Sequence, residues 1–341
     1  VNGLSAWLRE RQSTVFAYAL TAVLFAVGVI HSSGFASGSS IRQMLVFASF
    51  VGFAALGQTF VILAGGLDLS VPWLMAFGGV ELSRLSTSGT PAGLAIAIVV
   101  AIGVGIGLLN GIGVTRLRIP PIVMTLAMGG LIQAYLLAVG QLSSSGDTVP
   151  AIAVHLASNR AGPFPVIAIV WLVVAIAAGL LISRTAFGRR VHATGENDVV
   201  ARLSGIRIDR IRLVTYAISG AASAFGGMVL AGYVGTTYLD IGAPYLFTSI
   251  AAVVVGGASI LGGRGTYWGT VAGALTLTVL SALLPLFRLS PADLDIVYGV
   301  VILLGVWLSS SGQTAIAALW GRSRSTSNVS PPSKAGSDAQ S

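Results

Sequence analysis

The sequence predicts an all-α, polytopic membrane helix bundle of about ten transmembrane helices, and three observations predict it. Of its 341 residues, 55% are hydrophobic and 9% charged, against roughly a quarter charged in ordinary soluble domains. That leaves too little polar side chain to cover a soluble globule. Apolar runs of about 18 residues or more, each long enough to cross a bilayer, recur along the chain. The basic residues, all arginine except Lys334, fall mostly between those runs, as cytoplasmic loops require. The net charge of +8 therefore does not call for nucleic acid. The absence of cysteine excludes disulfide frameworks, thiolate metal sites and thiol catalysis. Continuous rather than alternating apolar runs exclude a membrane β-barrel.

Taken in order, the first span, at about 14–31, follows Arg9 and Arg11 and precedes small residues near Ala36. That outline also fits a signal peptide, but the later spans need no cleaved leader. A long span at about 41–64 and a short one at about 71–85 flank a polar interruption; spans at about 92–114 and 121–140 flank Arg116 and Arg118. A sixth, at about 163–182, leads into the one substantial charged segment, 183–212, with seven arginines against Glu196, Asp198 and Asp209. The remaining spans lie at about 213–232, 245–261, 266–286 and 294–311. The sequence thus reads as one transmembrane domain over 1–321 and a Ser- and Pro-rich disordered tail over 322–341.

The charged segment is expected to be cytoplasmic, and counting outward places Arg116, Arg118, Arg264 and both termini on the same side. Opposite lie 32–40, 86–91, 141–162, 233–244 and 287–293, rich in Ser, Gly and Pro, with Arg42, Arg84, Arg160 and Arg288 as the exceptions that short loops tolerate. Gly103, Gly107 and Gly111, and likewise Gly265, Gly269 and Gly273, make smooth stripes that let a neighbouring backbone approach closely.

Enzymatic readings fare poorly. His31, His155 and His192 fall in different loops without metal-binding spacing, and no Gly-x-Ser-x-Gly elbow stands out. Lys334, in Pro-Pro-Ser-Lys-Ala-Gly near the end of the sequence, makes a poor phosphate loop, so the chain is expected to hold no ATP-hydrolysing site of its own. The most informative polar stretch is Gly65-Gly66-Leu67-Asp68-Leu69-Ser70-Val71-Pro72. Two glycines loosen the helix, Asp68 or Ser70 can cap the next one, and Pro72 suits a first turn. A broken helix at membrane depth marks a transport path; a tight interfacial turn with Asp68 as an ordinary cap is the bland alternative. Gln58, Asn110, Thr125 and Gln133 either line a passage or bond neighbouring helices. Glu81 and Arg84 are spaced to pair on one helix face. In the charged segment, Asn197 or Asp198 can cap a short helix over about 199–204 and Gly205 can end it. The result is either a handle for a cytoplasmic partner or a solvated loop that only fixes orientation.

Together these residues resemble a known family. Gly65 to Val71, Asn110-Gly111 with Arg118 to Leu126, Phe187 to Asn197 continuing through Ala201-Arg202-Leu203-Ser204-Gly205-Ile206, and Ala251 to Ser259 leading to Gly262 to Gly265 are similar, in order, to segments of ribose-type sugar ABC importer permeases. Two departures stand out: Pro72 where that family usually has glycine, and Val200-Ala201 where it usually has paired alanines.

The resemblance implies a bundle like that of the vitamin B12 importer permeases, pairing with a second permease copy or a related chain in the inner membrane. It implies a cytoplasmic ABC ATPase docked on Gly195, Glu196, Asn197, Ala201, Arg202, Gly205 and Ile206, and an external solute-binding protein, for which 141–162 is the candidate contact. ATP and Mg2+ would be bound by the ATPase, with no cofactor in this chain. The candidate translocation path comprises Gly65, Gly66, Asp68, Ser70, Asn110 and Thr125. The expected solute is a sugar or a similar small polyol. Nucleoside or branched-chain amino acid permeases of the same superfamily are the near alternative, and an ion-coupled secondary transporter using Asp68 or Glu81 is the distant one. An intramembrane hydrolase lacks a credible nucleophile and base.

Overall fold

The computed structural model describes residues 12–142, 149–288, 290, 292–293, 295–300 and 302–303. The expected tail over 322–341, most of the last expected span and part of loop 141–162 lie outside these. The elements in order are α1 (Gln12–His31), α2 (Gly38–Leu63), α3 (Val71–Thr87), α4 (Ala92–Thr115), α5 (Pro121–Leu142) and α6 (Ala151–Ser158). Next come a two-residue hairpin of β1 (Arg160–Ala161) and β2 (Phe164–Pro165), then α7 (Val166–Arg184), α8 (Ala186–Glu196), α9 (Asp198–Leu203), α10 (Ile208–Val234), α11 (Tyr245–Val255), α12 (Tyr267–Leu283) and a 3-10 turn at Leu284–Phe287. Arg160 pairs with Pro165 and Ala161 with Phe164, antiparallel. Among the described residues, seven helices are long and apolar enough to cross a membrane: α1, α2, α4, α5, α7, α10 and the α12 stretch. The molecule is a multi-pass helical membrane protein.

The helices form around a central pair. α2 is buried on nearly every side from Val46 to Leu63, and α10 packs against α2, α3 and α4. Small residues permit this crowding, because with lipid as solvent helices associate by close packing rather than by escape from water. Gly103 and Gly107 of α4 press on the backbone of Gly220 and Tyr216 in α10, and Gly227 of α10 presses on Met75 of α3. The Gly103-Gly107-Gly111 stripe therefore serves as expected. The second stripe serves in part: Gly273 seats α12 on the backbone of α11 at Ala252 and Gly269 on Gly256 just past its end, whereas Gly265 precedes α12, with φ 143°. α1 lies at the periphery, tied to α12 by Thr21–Thr276 and, beside its start, Thr14–Thr266 hydroxyl bonds of 2.7 and 3.0 Å.

One expected span and two expected loops change character. The run 245–261 forms only the 11-residue α11, too short to cross a bilayer. Gly256 and Gly257 end it, and the chain turns through 258–265 to reach α12. The charged segment is ordered as α8, α9 and the first turn of α10 rather than a loose loop. Loop 141–162 holds α6, whose Ala153 packs on Gly232 of α10.

Candidate functional site

The break between α2 and α3 is where the expected path residues meet. α2 stops at Leu63, Gly65 takes φ 79° where an L side chain would be strained, and the backbone stays irregular until Val71. Irregular backbone in an apolar bundle needs outside partners, and side chains from two other helices, α5 and α10, and from α2 itself supply them. Gln58 donates from Nε2 to the Asp68 carbonyl at 2.7 Å and accepts the Asp68 N–H at 3.3 Å. Thr125 of α5 accepts the Leu69 N–H at 3.0 Å, and Tyr216 of α10 donates to the Leu67 carbonyl at 3.2 Å.

The Asp68 carboxylate is fully buried. Its Oδ1 accepts the Ser70 N–H at 3.0 Å and the Ser70 hydroxyl at 2.5 Å, and its Oδ2 accepts the Ser219 hydroxyl of α10 at 2.6 Å. Asn110 of α4 donates to the Ser70 Oγ at 3.0 Å. The structure thus brings Gly66, Asp68, Ser70, Asn110 and Thr125 into one buried polar knot, with Gly65 exposed at its edge. The expectation that Asp68 or Ser70 caps α3 is not met. Ser70 occupies the cap position without a side-chain cap bond: its hydroxyl donates to Asp68 and its oxygen accepts from Asn110 instead; Pro72 does sit in the first turn.

Sequence reading missed the seam that joins this knot to the charged segment. Arg212, Tyr216 and Ser219 recur at helical spacing on α10 and engage the break at Ala64, Leu67 and Asp68 in turn. Arg212 also pairs with Asp198 of α9 at 2.8 Å while its Nε reaches the Ala64 carbonyl at 3.4 Å. Polar residues four and three apart on an apolar helix were the available signal.

The expected docking residues divide into two kinds. Gly195 is internal: a methyl there would collide with the Leu63 carbonyl and the Gly263 amide, so α8 lies directly on the end of α2. Ala201 is buried and Ile206 partly so. Glu196 and Arg202 are exposed and paired, to Arg264 at 2.8 Å and Asp209 at 3.5 Å. Asn197 caps α9 as expected, its Oδ1 accepting from Val199 and Val200 at 2.9 and 3.1 Å. Gly205 closes α9 with φ 78°, while the Ile206 N–H returns to the Ala201 carbonyl at 3.0 Å. Fixed between these caps, α9 turns Val199, Val200 and Leu203 outward, at 67, 58 and 84% exposure. Val200 stood out in the sequence only as a departure from paired alanines, and Val199 and Leu203 were not singled out as a patch, although apolar residues inside an otherwise charged segment mark one.

Glu81 and Arg84 pair at 2.8 Å as expected, and Tyr135 of α5 joins them, donating to Glu81 at 2.6 Å.

A family model described as "Branched-chain amino acid transport system / permease component" matches residues 40–306. The chain is 33% identical to the ribose import permease protein of Bacillus subtilis over 84% of its own length and 89% of that protein's. It is 30% identical to the fructose import permease protein of Rhizobium meliloti, over 89% of this chain and 86% of the other. To the autoinducer 2 import system permease protein of Yersinia enterocolitica it is 34% identical, over 84% and 79%. No solved structure matches the chain.

Proposed function

From the premise that the chain belongs to the family of branched-chain amino acid transport system permease components, we propose that it is the membrane-spanning subunit of an ATP-driven importer for a sugar or sugar-like small solute. Two of the similar proteins are named for ribose and fructose import, which favours a sugar over an amino acid. On this reading the chain crosses the inner membrane about ten times, the short α11 crossing only together with the turns on either side of it, in a bundle like that of the vitamin B12 importer permeases. Both termini lie in the cytoplasm, residues 1–321 form the permease domain, and 322–341 form a tail. A second permease copy or paralogue completes the pore, and an external solute-binding protein meets loop 141–162. ATP and Mg2+ are held by a partner ATPase, so energy reaches this chain through a contact surface.

The observation that carries the reading is α9. A six-residue helix capped at both ends, set among arginines outside the apolar crossings, presents Val199, Val200 and Leu203 outward. Exposed apolar side chains on an element of that polarity suit a partner's groove. Behind it, the Asp198–Arg212 pair and the contacts of Arg212, Tyr216 and Ser219 with the break form a continuous polar seam into the bundle. A push on α9 by the closing ATPase would bear on the break through that seam. An ion-coupled mechanism fits less well, since both Asp68 oxygens are taken by Ser70 and Ser219 and Glu81 is paired with Arg84 and Tyr135.

Leu203→Asp and Val199→Asp test the dock. Each is expected to remove the ATPase subunit from the detergent-purified complex and to abolish uptake, with the melting temperature of the chain itself unchanged because neither side chain is buried. Uptake that survives both substitutions would refute docking at α9.

A further inference from the structure

We infer that the cavity at the end of the bundle away from α8 and α9 is a transit site for a neutral, polyhydroxylated solute. The inference rests on the import reading above and goes on to place the solute within a single permease chain.

The cavity has a volume of about 740 Å³, within the range of small-molecule sites. It lies among the N-terminal half of α2, the start of α11, the last turns of α12 and the 295–300 helical stretch. Its polar groups are neutral hydrogen-bonders and one acid, among them Ser40, Gln43, Thr248, Ser281, Tyr298 and Asp295. Between them stand flat or apolar surfaces from Phe47, Tyr245, Met44 and Val51. A sugar presents hydroxyls around its rim and C–H faces above and below, and this alternation matches both.

The lining also selects against an amino acid. Among the described residues that line it, none is an arginine, lysine or histidine, so beside these a solute carboxylate would lose water without gaining a countercharge. The start of α11 offers little relief, because the Tyr245 and Leu246 amides already donate to the Gly242 and Ala243 carbonyls at 3.0 and 3.3 Å. Asp295 would repel a carboxylate but can accept hydroxyls.

The walls of the cavity are the helices whose far ends meet the dock. α2 runs from Val51 at the cavity to Leu63, about 18 Å on, where the Leu63 carbonyl accepts the Gly263 amide at 3.1 Å. Gly263 belongs to the turn joining α11 to α12, and its carbonyl meets His192 Nδ1 of α8 at 2.9 Å. The neighbouring Arg264 pairs with Glu196 at 2.8 Å. Movement of α8 therefore acts on α2, α11 and α12, three of the four walls, at their opposite ends.

The chain has no cysteine, so a single Ser281→Cys, or Gln43→Cys should that variant fail to fold, gives this chain one thiol, scored on this chain's band in the complete transporter in intact cells. A membrane-impermeant methanethiosulfonate added outside is expected to modify the cysteine and cut import at least tenfold relative to the same variant unmodified. A mixture of D-ribose, D-fructose, D-glucose and D-galactose is expected to slow modification severalfold, and L-leucine to leave it unchanged. Modification by a lipid-soluble maleimide alone, full modification with import intact, or protection by L-leucine rather than the sugars would each overturn the proposal. Recovery of the ATPase with the chain is scored separately: sugar protection without any bound ATPase would keep the cavity assignment and sink the import reading.

Discussion

Three donors converge on the two oxygens of Asp68, from the backbone and hydroxyl of Ser70 and the hydroxyl of Ser219. A buried acceptor that loses a donor bears the desolvation penalty of the group left behind, so Ser219→Ala is expected to lower stability by about 1–3 kcal/mol, read as a fall in the melting temperature of the purified chain. Asp68→Asn is expected to be destabilising too, with the folded fraction still transporting. Import lost at unchanged stability would instead put the carboxylate on the solute's route. Gly195 is more demanding. The backbone atoms it faces, at Leu63 and Gly263, cannot swing aside, and Gly195→Ala is expected to cost about 3 kcal/mol by overpacking and to abolish import.

At the scale of the element, α9 is defined by its two ends. Gly205 faces open space, so a substitution there meets only the left-handed backbone. Gly205→Ala is expected to cost about 1–2 kcal/mol and to reduce import partly, with Gly205→Asn closer to the parent. This graded response, against the complete loss at Gly195, is checked by uptake and thermal melting of the same preparations. The Glu196–Arg264 pair is half or more exposed on both sides and is worth at most about 1 kcal/mol to stability. A large loss of import from Glu196→Arg that Arg264→Glu restores would therefore report on the link between α8 and the α11–α12 turn rather than on folding.

Local chemistry made much of α9 and the break legible in the sequence. Asn197 and Gly205 are residue types that begin and end helices, and the double glycine before Asp68 weakens any helix through it. What lay beyond sequence was long-range. Nothing local to Ser70 says that its hydroxyl turns back to Asp68 while its oxygen accepts from the distant Asn110 instead of capping α3. Nor does the run 245–261 betray that it stops as a helix at Val255, because its hydropathy continues past the glycines that end it.

Over the whole molecule, one architecture joins three places: the apolar patch on α9, the knot around Asp68, and the cavity between α2, α11 and α12. α10 links the first two through Arg212, Tyr216 and Ser219, while α2 and the α11–α12 turn link the dock to the third. The central claim is that an ATPase grips α9, and a native chain without cysteine allows a direct measurement. With Leu203→Cys as the sole cysteine, a short bifunctional thiol-to-amine crosslinker in intact membranes is expected to join this chain to a nucleotide-hydrolysing subunit, in a yield that changes when ATP is added. A residue at 203 that captures no such subunit, in membranes that still import solute, would contradict the account.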